Sequence, residues 1–250
     1  MINKDKTKTL IFGQEDIDKE IELDGSNLEN VKEFTYLGSL ISSSEDCSED
    51  IRIRITKGKV AVNALENILK SKNISEWTKL KLMRTCVFSV ALYACESWTF
   101  KKKDRDRIKA FEMYCYRRML RISWMQKERN ADIRKRLNVQ ENLMQVVARR
   151  KMQLFGHITR MDNSRKIKVV MQGIIEGENK RGRPPREWLD DIKDWCHKDI
   201  NTLSHMAQDR ARWTQMICEA VHSEQLTEAA LDSRTTQTST LDTDGSSHGS

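Results

Sequence analysis

The sequence has few helix-breaking residues and no long apolar run. Its 250 residues include two prolines and ten glycines, so helices can run with few interruptions. No apolar run approaches the ~20 residues needed to cross a bilayer, and the first residues, MINKDKTKTL, lack the apolar core of a signal peptide. We therefore expect a mainly α, intracellular protein of the nucleus and/or cytoplasm, with no membrane partner.

Cysteines and catalytic motifs are also sparse. The six cysteines are widely scattered and include no closely spaced pair, which predicts free, mostly buried thiols and no disulfide. The residues that could in principle supply zinc ligands are Cys196, His197, His205, Cys218 and His222. Without a close cysteine pair, we expect the cysteines to be core residues, with no metal and no cofactor. The G-x-S-x-G elbow of nucleophilic hydrolases is absent from the sequence as well.

The net charge of +7 hides a strong segregation along the chain. Residues 1–50 carry a net charge of −8, residues 51–100 carry +6, residues 101–183 carry +15 and residues 184–250 carry −6. A basic block of this size attracts a polyanion, because each docked Lys or Arg releases counterions from phosphates. This pattern predicts an RNA or DNA partner, and the alternative is a solvated basic helical surface.

The N-terminal residues up to about residue 41 are typical of short strands. Branched or aromatic residues dominate TLIF (Thr9–Phe12), EIEL (Glu20–Leu23) and VKEF followed by TYLGSLI (Val31–Ile41). Asp24-Gly25 and Gly38 interrupt these runs. Because such residues favour tight turns, we predict small hairpins here.

The spacing of apolar residues becomes helical from about residue 48 onward. Predicted helices follow an N-cap at Ser44 or Ser48, run from Ser75 to about Tyr93, and cover Lys103–Ile122, Asn130–Leu137, Gln140–Met161, a stretch opened by Pro184-Pro185, and Leu203–Val221. After the two prolines, Trp188, Ile192, Trp195 and Cys196 share one helix face, which we expect to be buried. The polar composition of Ser223–Ser250 predicts a disordered tail.

Five segments of the sequence carry a resemblance to a known family. In chain order they are VKEFTYLGSLISS, ALYACESW, RRMLRISW, RRKMQLFGHITRM and GRPPREWLDDIKDW. Together they resemble the carboxy-terminal part of reverse transcriptases encoded by non-LTR (LINE-type) retrotransposons, closest to the RTE-like group. The resemblance covers about Val31 to Trp213, and five blocks in one order make it far more specific than a single block.

The resemblance implies a fold and a division of the chain. The fold is mainly α with a small N-terminal β element, in which palm-edge hairpins precede a helical thumb and a helical C-terminal module. The implied segments are a palm-edge β remnant with a primer-grip-like hairpin (1–46), a thumb-like domain (47–125) and a basic helical C-terminal module (126–222). The disordered tail (223–250), predicted from its composition, follows them. Phe34, Tyr36, Leu37 and Gly38 would form the primer-grip-like element, and a hydrophobic hairpin that seals a sheet edge is the alternative interpretation.

Catalytic carboxylates are the part of the family pattern that this sequence lacks. Polymerases of this family hold two Mg²⁺ ions with a lone Asp and an aromatic-X-Asp-Asp pair. Residues 1–30 contain no such pair, so we expect the chain to begin after those motifs and after the endonuclease domain. Asp190-Asp191 lies in a predicted amphipathic helix, and we interpret it as a solvated helix face.

The sequence thus predicts a truncated or domesticated reverse-transcriptase remnant that binds RNA and/or DNA and is not an enzyme on its own. Components of a retrotransposon ribonucleoprotein are further candidate partners. Two alternatives stay open. The chain could be a fragment of a complete RNA-directed DNA polymerase and endonuclease, or a helical adaptor that binds proteins.

Positive charge and position in the hairpin select the candidate residues for nucleic-acid contact. They are Tyr36, Gly38, Arg117, Arg118, Arg121, Arg149, Arg150, Lys151, Arg160, Lys180, Arg181 and Arg183. The last three belong to KRGRPP, which contains the Arg-Gly-Arg-Pro core of an AT-hook, a reader of the minor groove. Because Pro184-Pro185 lead directly into an amphipathic helix, we interpret KRGRPP as the basic entry loop of a helical module rather than an independent hook.

Overall fold

A computed structural model describes residues 7–12, 21–23, 25–44, 46–172 and 186–222. The predicted KRGRPP loop, with Lys180, Arg181 and Arg183, and the predicted tail Ser223–Ser250 lie outside these residues. Within the described residues, every helix is too short or too polar to cross a membrane.

Short strands occupy the N-terminal part, as the sequence predicts. Strand β1 (Lys8–Thr9) pairs in parallel with β4 (Glu29–Asn30), whereas β2 (Glu22–Leu23) pairs antiparallel with β3 (Ser26–Asn27). Strands β5 (Glu33–Tyr36) and β6 (Ser39–Ser42) form an antiparallel hairpin. Its two-residue turn holds Leu37 at φ 48° and Gly38 at φ 86°. Two consecutive positive φ angles are those of a type I′ turn, whose twist matches that of the flanking strands.

Helices make up most of the rest, which confirms the predicted mainly α fold with a small N-terminal β element. They are α1 (Ser48–Ala64), α2 (Glu66–Lys70), α3 (Glu76–Leu82), α4 (Ser89–Ala91), α5 (Lys102–Leu120), α6 (Asn130–Arg136), α7 (Leu143–Thr159), α8 (Lys166–Gln172), α9 (Trp188–Cys196), α10 (Ile200–Gln208) and α11 (210–222). A π-helical segment, Met83–Phe88, joins α3 to α4.

Polar side chains at the helix ends explain where the predicted boundaries hold and where they are wrong. Ser75 caps α3 as predicted, because its Oγ accepts a hydrogen bond from the Thr78 amide at 3.2 Å. The predicted Ser44 or Ser48 cap of α1 is wrong, since Cys47 occupies the N-cap position. Ser48 instead donates its hydroxyl proton to Asp104 over 2.8 Å.

The last predicted helix, Leu203–Val221, is divided into α10 and α11. Asp199 caps α10, and Asp209 leaves the helical conformation and caps α11 by accepting from the Ala211 amide at 2.8 Å. An Asp side chain that accepts such a bond competes with a continuous helix. Periodicity alone does not reveal this break, because the apolar spacing continues through it.

One hydrophobic core is continuous from α1 to α11. It includes Ile51 of α1, Tyr116 of α5, Phe155 of α7 and Trp213 of α11. The face predicted for α9 is buried at Ile192, Trp195 and Cys196, with Trp188 partly buried. The predicted divisions of the chain stay predictions, and the helices on either side of residue 125 share this core.

The cysteines are less buried than the sequence predicts. All six are free, but only Cys95, Cys115 and Cys196 are buried, whereas Cys86 and Cys218 are exposed and Cys47 is intermediate. Burial raises the pKa of the Cys95 and Cys196 thiols to about 12, because an ionised thiolate is poorly solvated in the core. These thiols therefore serve as small apolar side chains.

Two glycines allow close approach between helices in this core. A Cβ at Gly58 of α1 would lie 2.6 Å from Phe111 Cζ of α5. A Cβ at Gly156 of α7 would overlap the indole ring of Trp213. Both side chains are rigid aromatics in a packed core, so they have little room to move aside.

We expect Gly156→Ala to lower the free energy of unfolding by about 1–3 kcal/mol, since overpacking forces the Trp213 ring to shift. Alanine normally stabilises a helix relative to glycine. A loss of stability would therefore show that the close contact with Trp213 outweighs this helix preference. Chemical denaturation followed by circular dichroism measures it. Asn63→Ala, at an exposed position of α1, is the control and should be neutral or slightly stabilising. A stabilising Gly156→Ala would contradict the packing.

Candidate nucleic-acid interface

The β5–β6 hairpin is fixed to α1 by buried polar groups. Asp50 accepts a hydrogen bond from the Leu40 amide at 2.9 Å through Oδ1 and from Trp98 Nε1 at 2.8 Å through Oδ2. Arg54 donates to the Gly38 carbonyl over 2.5 Å, and its guanidinium lies 4.3 Å from the centroid of the Tyr93 ring. The hairpin is therefore attached to α1 at the Gly38 carbonyl and at the Leu40 amide.

The tip of this anchored hairpin is exposed. Tyr36 is 58% exposed and Leu37 is 74% exposed. Tyr93 donates its hydroxyl proton to the Leu37 carbonyl over 3.1 Å, so the backbone of the turn is held while the side chains stay free. The predicted Tyr36 and Gly38 thus lie together on one fixed projection that a ligand can reach.

Three of the predicted arginines line one open groove. Arg117 and Arg118 lie in the last turn of α5, and Arg121 follows as its C-cap with φ 59°. Lys70 and Glu66 of α2 form the opposite wall, with Leu69 between them. Eight Lys or Arg and two Asp or Glu occur between residues 117 and 136, so the groove borders the most basic stretch of α5 and α6. We call this feature the α2–α5 groove.

Ion pairing within the α2–α5 groove leaves an excess of positive charge. Glu66 accepts from Arg118 Nη2 at 3.0 Å and pairs with Lys70 Nζ at 2.9 Å. The Lys70 hydrogen bond, together with the charges of Lys70 and Arg118, lowers the pKa of the Glu66 carboxyl. Arg117 donates to the Glu128 carbonyl and to Asn130, which ties the following loop to α5. Arg121 is exposed, and its side chain has no hydrogen-bond or ion-pair partner within the described part of the chain.

The other predicted basic residues that the structure describes do not join this groove. Arg149 pairs with Glu141, and Arg150 donates to the Leu92 carbonyl at 3.1 Å. Arg160 connects α7 to α10 by donating to the Ala207 carbonyl at 2.7 Å. These arginines keep part of their surface open to solvent.

Lys151 is a correction to the predicted interface. Its side chain is 0% exposed, and its ammonium donates to Asp191 Oδ2 at 2.6 Å and to the Trp98 carbonyl at 2.7 Å. A buried ammonium with these two partners has no path to a phosphate. Burial lowers the pKa of Lys151 to about 8, and the adjacent Asp191 carboxylate limits that fall.

Asp191 is the second correction, because it is buried rather than solvated. Its Oδ1 also accepts from Arg105 Nη2 at 2.9 Å and from Arg186 Nη2 at 2.8 Å, and its Oδ2 accepts from the Phe100 amide at 3.1 Å. One carboxylate therefore joins α5, α7, α9 and the segment before α5. We call Asp191, Lys151, Arg105 and Arg186 the Asp191 cluster.

Asp190 differs from its neighbour. It is partly exposed, accepts from the Glu187 amide at 2.8 Å and pairs with Lys193 at 3.0 Å. Among the residues that the structure describes, no group of three or more His, Cys, Asp or Glu is placed to hold a metal ion.

Comparison with known proteins gives a similarity to a transposon-derived protein. No protein-family model matches the sequence, and no solved structure matches the chain. A Caenorhabditis elegans protein described as transposon-derived, and itself uncharacterized, is 27% identical over 203 residues, which cover 77% of this chain and 72% of that protein. The chain is similar to a transposon-derived protein. This similarity agrees with the transposon origin that the five sequence segments imply.

We expect Asp191→Asn to lower the free energy of unfolding by about 3–5 kcal/mol, because it leaves the buried Lys151 ammonium without a countercharge. The side chain keeps its size, so the change tests charge rather than packing. Asp190→Asn, one residue away and partly exposed, is the matched control and should change stability by less than about 1 kcal/mol. Equal effects at the two positions in thermal or chemical denaturation would contradict the assignment.

Proposed function

We propose that this chain is a nucleic-acid-binding remnant of a LINE-type retrotransposon reverse transcriptase, and that it grips RNA or DNA through a basic helical surface without catalysing polymerisation. The observation that carries the proposal is the α2–α5 groove, where Arg117, Arg118, Arg121 and Lys70 face a single carboxylate, Glu66. Similarity to a transposon-derived protein supports the proposed origin.

The α2–α5 groove suits a phosphate backbone for electrostatic reasons. Glu66 interacts with both Lys70 and Arg118, and an approaching phosphate can replace it as the partner of either cation. Arg121 needs no such exchange, because its guanidinium has no partner among the described residues. Guanidinium groups bind phosphate oxygens through two parallel hydrogen bonds, which neutral groups cannot match. Such contacts position a nucleic acid without reading its sequence.

The exposed hairpin supplies a second contact in this proposal. Tyr36 and Leu37 project from a turn whose backbone is held by Arg54 and Tyr93. An exposed aromatic on a fixed turn can pack against a nucleic-acid strand, which is the primer-grip-like role that the family resemblance implies. KRGRPP, as a basic loop before α9, stays a predicted third contact.

We predict that Arg118→Glu combined with Arg121→Glu weakens nucleic-acid binding at least about tenfold and lowers the slope of log affinity against log salt by about 2, since two phosphate contacts are lost. Fluorescence anisotropy with labelled RNA and DNA at several salt concentrations measures both quantities. Circular dichroism verifies that the variant is folded.

Arg210→Glu combined with Arg212→Glu is the matched control, because it changes the net charge equally at exposed positions of α11. We expect it to weaken binding by less than about threefold, through screened long-range repulsion alone. Equal losses in the two double variants would show that net charge, not the α2–α5 groove, determines binding. Absence of binding by the wild-type protein to all RNA and DNA probes at low salt would overturn the proposal itself.

The proposed lack of polymerase activity has a separate test. Asp191 is committed to Lys151, Arg105 and Arg186, and Asp190 caps α9, so neither carboxylate of this pair is placed to hold a catalytic metal ion. We expect no template-dependent nucleotide incorporation on a primed template with Mg²⁺ or Mn²⁺. A retroviral reverse transcriptase serves as the positive control, and extension above the blank by this chain would contradict the prediction.

A further inference from the structure

Trp77 on α3 has an unusual setting for a tryptophan of this chain. It is 69% exposed, whereas Trp98, Trp195 and Trp213 are buried in the core. A single exposed apolar residue is ordinary on a protein surface. The neighbours of Trp77 make it informative, because they are positively charged.

Lys81 lies on the same face of α3 as Trp77, because the two residues are spaced i, i+4. Arg84 follows three residues later, in the π-helical segment Met83–Phe88. Lys81 Nζ lies 5.3 Å from the centroid of the Trp77 ring. Arg84 is exposed, and within the described residues its guanidinium has no hydrogen-bond or ion-pair partner. We call Trp77, Lys81 and Arg84 the Trp77 strip.

The Trp77 strip leads into a pocket beside the π-helical segment Met83–Phe88. Arg84 and Arg150 lie on the wall of this pocket, and Phe88, Leu92 and Tyr116 provide its apolar surface. The Phe88 and Tyr116 rings meet edge to face with centroids 5.9 Å apart, which keeps that surface rigid. Glu141 also lines this pocket, and its carboxylate is paired with Arg149. With an apolar interior and two arginines at its margin, the pocket suits a flat ring that carries a nearby negative charge.

We propose that the Trp77 strip and this pocket bind single-stranded nucleic acid. One base stacks on Trp77, the adjoining phosphates pair with Lys81 and Arg84, and the pocket beside Arg150 receives a neighbouring base. An unpaired strand is required, because the faces of bases in a duplex are covered by their neighbours, whereas unpaired bases can stack on aromatic side chains. This inference rests on the proposed nucleic-acid binding but uses residues that are separate from the α2–α5 groove.

The test compares single strands with a duplex of the same sequence. Affinities of the wild-type protein, Trp77→Ala, Trp77→Phe and Lys81→Gln are measured by anisotropy with a single-stranded RNA, a single-stranded DNA and the DNA duplex. We expect Trp77→Ala to weaken single-strand binding about five- to hundredfold, the range for loss of one stacked base, and to leave duplex binding unchanged. Trp77→Phe should restore most of the affinity, and Lys81→Gln should reduce the salt dependence for single strands.

Val60→Ala is the control, because it changes a different exposed apolar residue, which lies on α1. It should leave all affinities unchanged. Single-strand affinity that is unchanged in Trp77→Ala would overturn this inference and leave the proposed function standing. An equal loss for single strands and duplex would overturn the preference for an unpaired strand. If the wild-type protein binds none of the three probes at low salt, both the inference and the proposed function fail. Circular dichroism verifies that each variant is folded, so that a lower affinity reports a loss of binding. We expect Trp77→Ala to fold, because Trp77 contributes little to the core.

Discussion

The ion pair between Lys151 and Asp191 is the constraint on which the arrangement of the C-terminal helices depends. Both side chains are fully buried, and their atoms lie 2.6 Å apart. Removing two charges from water is costly, so such a pair persists only when further hydrogen bonds satisfy its remaining oxygens and protons. Arg105, Arg186, the Phe100 amide and the Trp98 carbonyl meet that requirement. Helix α9 has nine residues, and this cluster defines where it docks against α5 and α7.

Ion pairing within the chain also reduces the positive charge that is available to a ligand. Many cations of the central block have a carboxylate partner within the chain, including Arg105 with Asp191, Arg107 with Asp104, and Arg136 with Glu76. The charge of +15 over residues 101–183 therefore overstates the free positive surface. Within the described residues, the side chain of Arg121 in the α2–α5 groove has no partner, whereas Arg118 beside it is paired with Glu66. Pairing, and not net charge alone, therefore decides which cations are available to a ligand.

Residue patterns predict the helices of this chain and the hairpin well, because both depend on local spacing and turn chemistry. The type I′ turn at Gly38 and the Ser75 cap follow from such local rules. Burial of charged residues does not, since Lys151 in the Arg149-Arg150-Lys151 triplet differs from its neighbours only by its position on α7. Asp190 and Asp191 are likewise the same residue type. Only Asp191 lies on the side of α9 that meets Lys151, and it is therefore buried. The sequence shows that Trp77, Lys81 and Arg84 are close together, but it does not show that Trp77 is exposed. That exposure is what indicates a contact with a ligand.

Trp98 connects the hairpin to the Asp191 cluster. Its indole N–H donates to Asp50, which also accepts from the hairpin amide of Leu40, while its carbonyl accepts from Lys151. The Trp98 backbone and side chain are therefore fixed by different helices, α1 on one side and α7 on the other. Because the exposed tip of the hairpin is held through Asp50, its position relative to the basic helices is determined by buried groups rather than by the strands themselves. A two-stranded hairpin alone is marginally stable in water, so this attachment is what allows Tyr36 to be presented in a defined place.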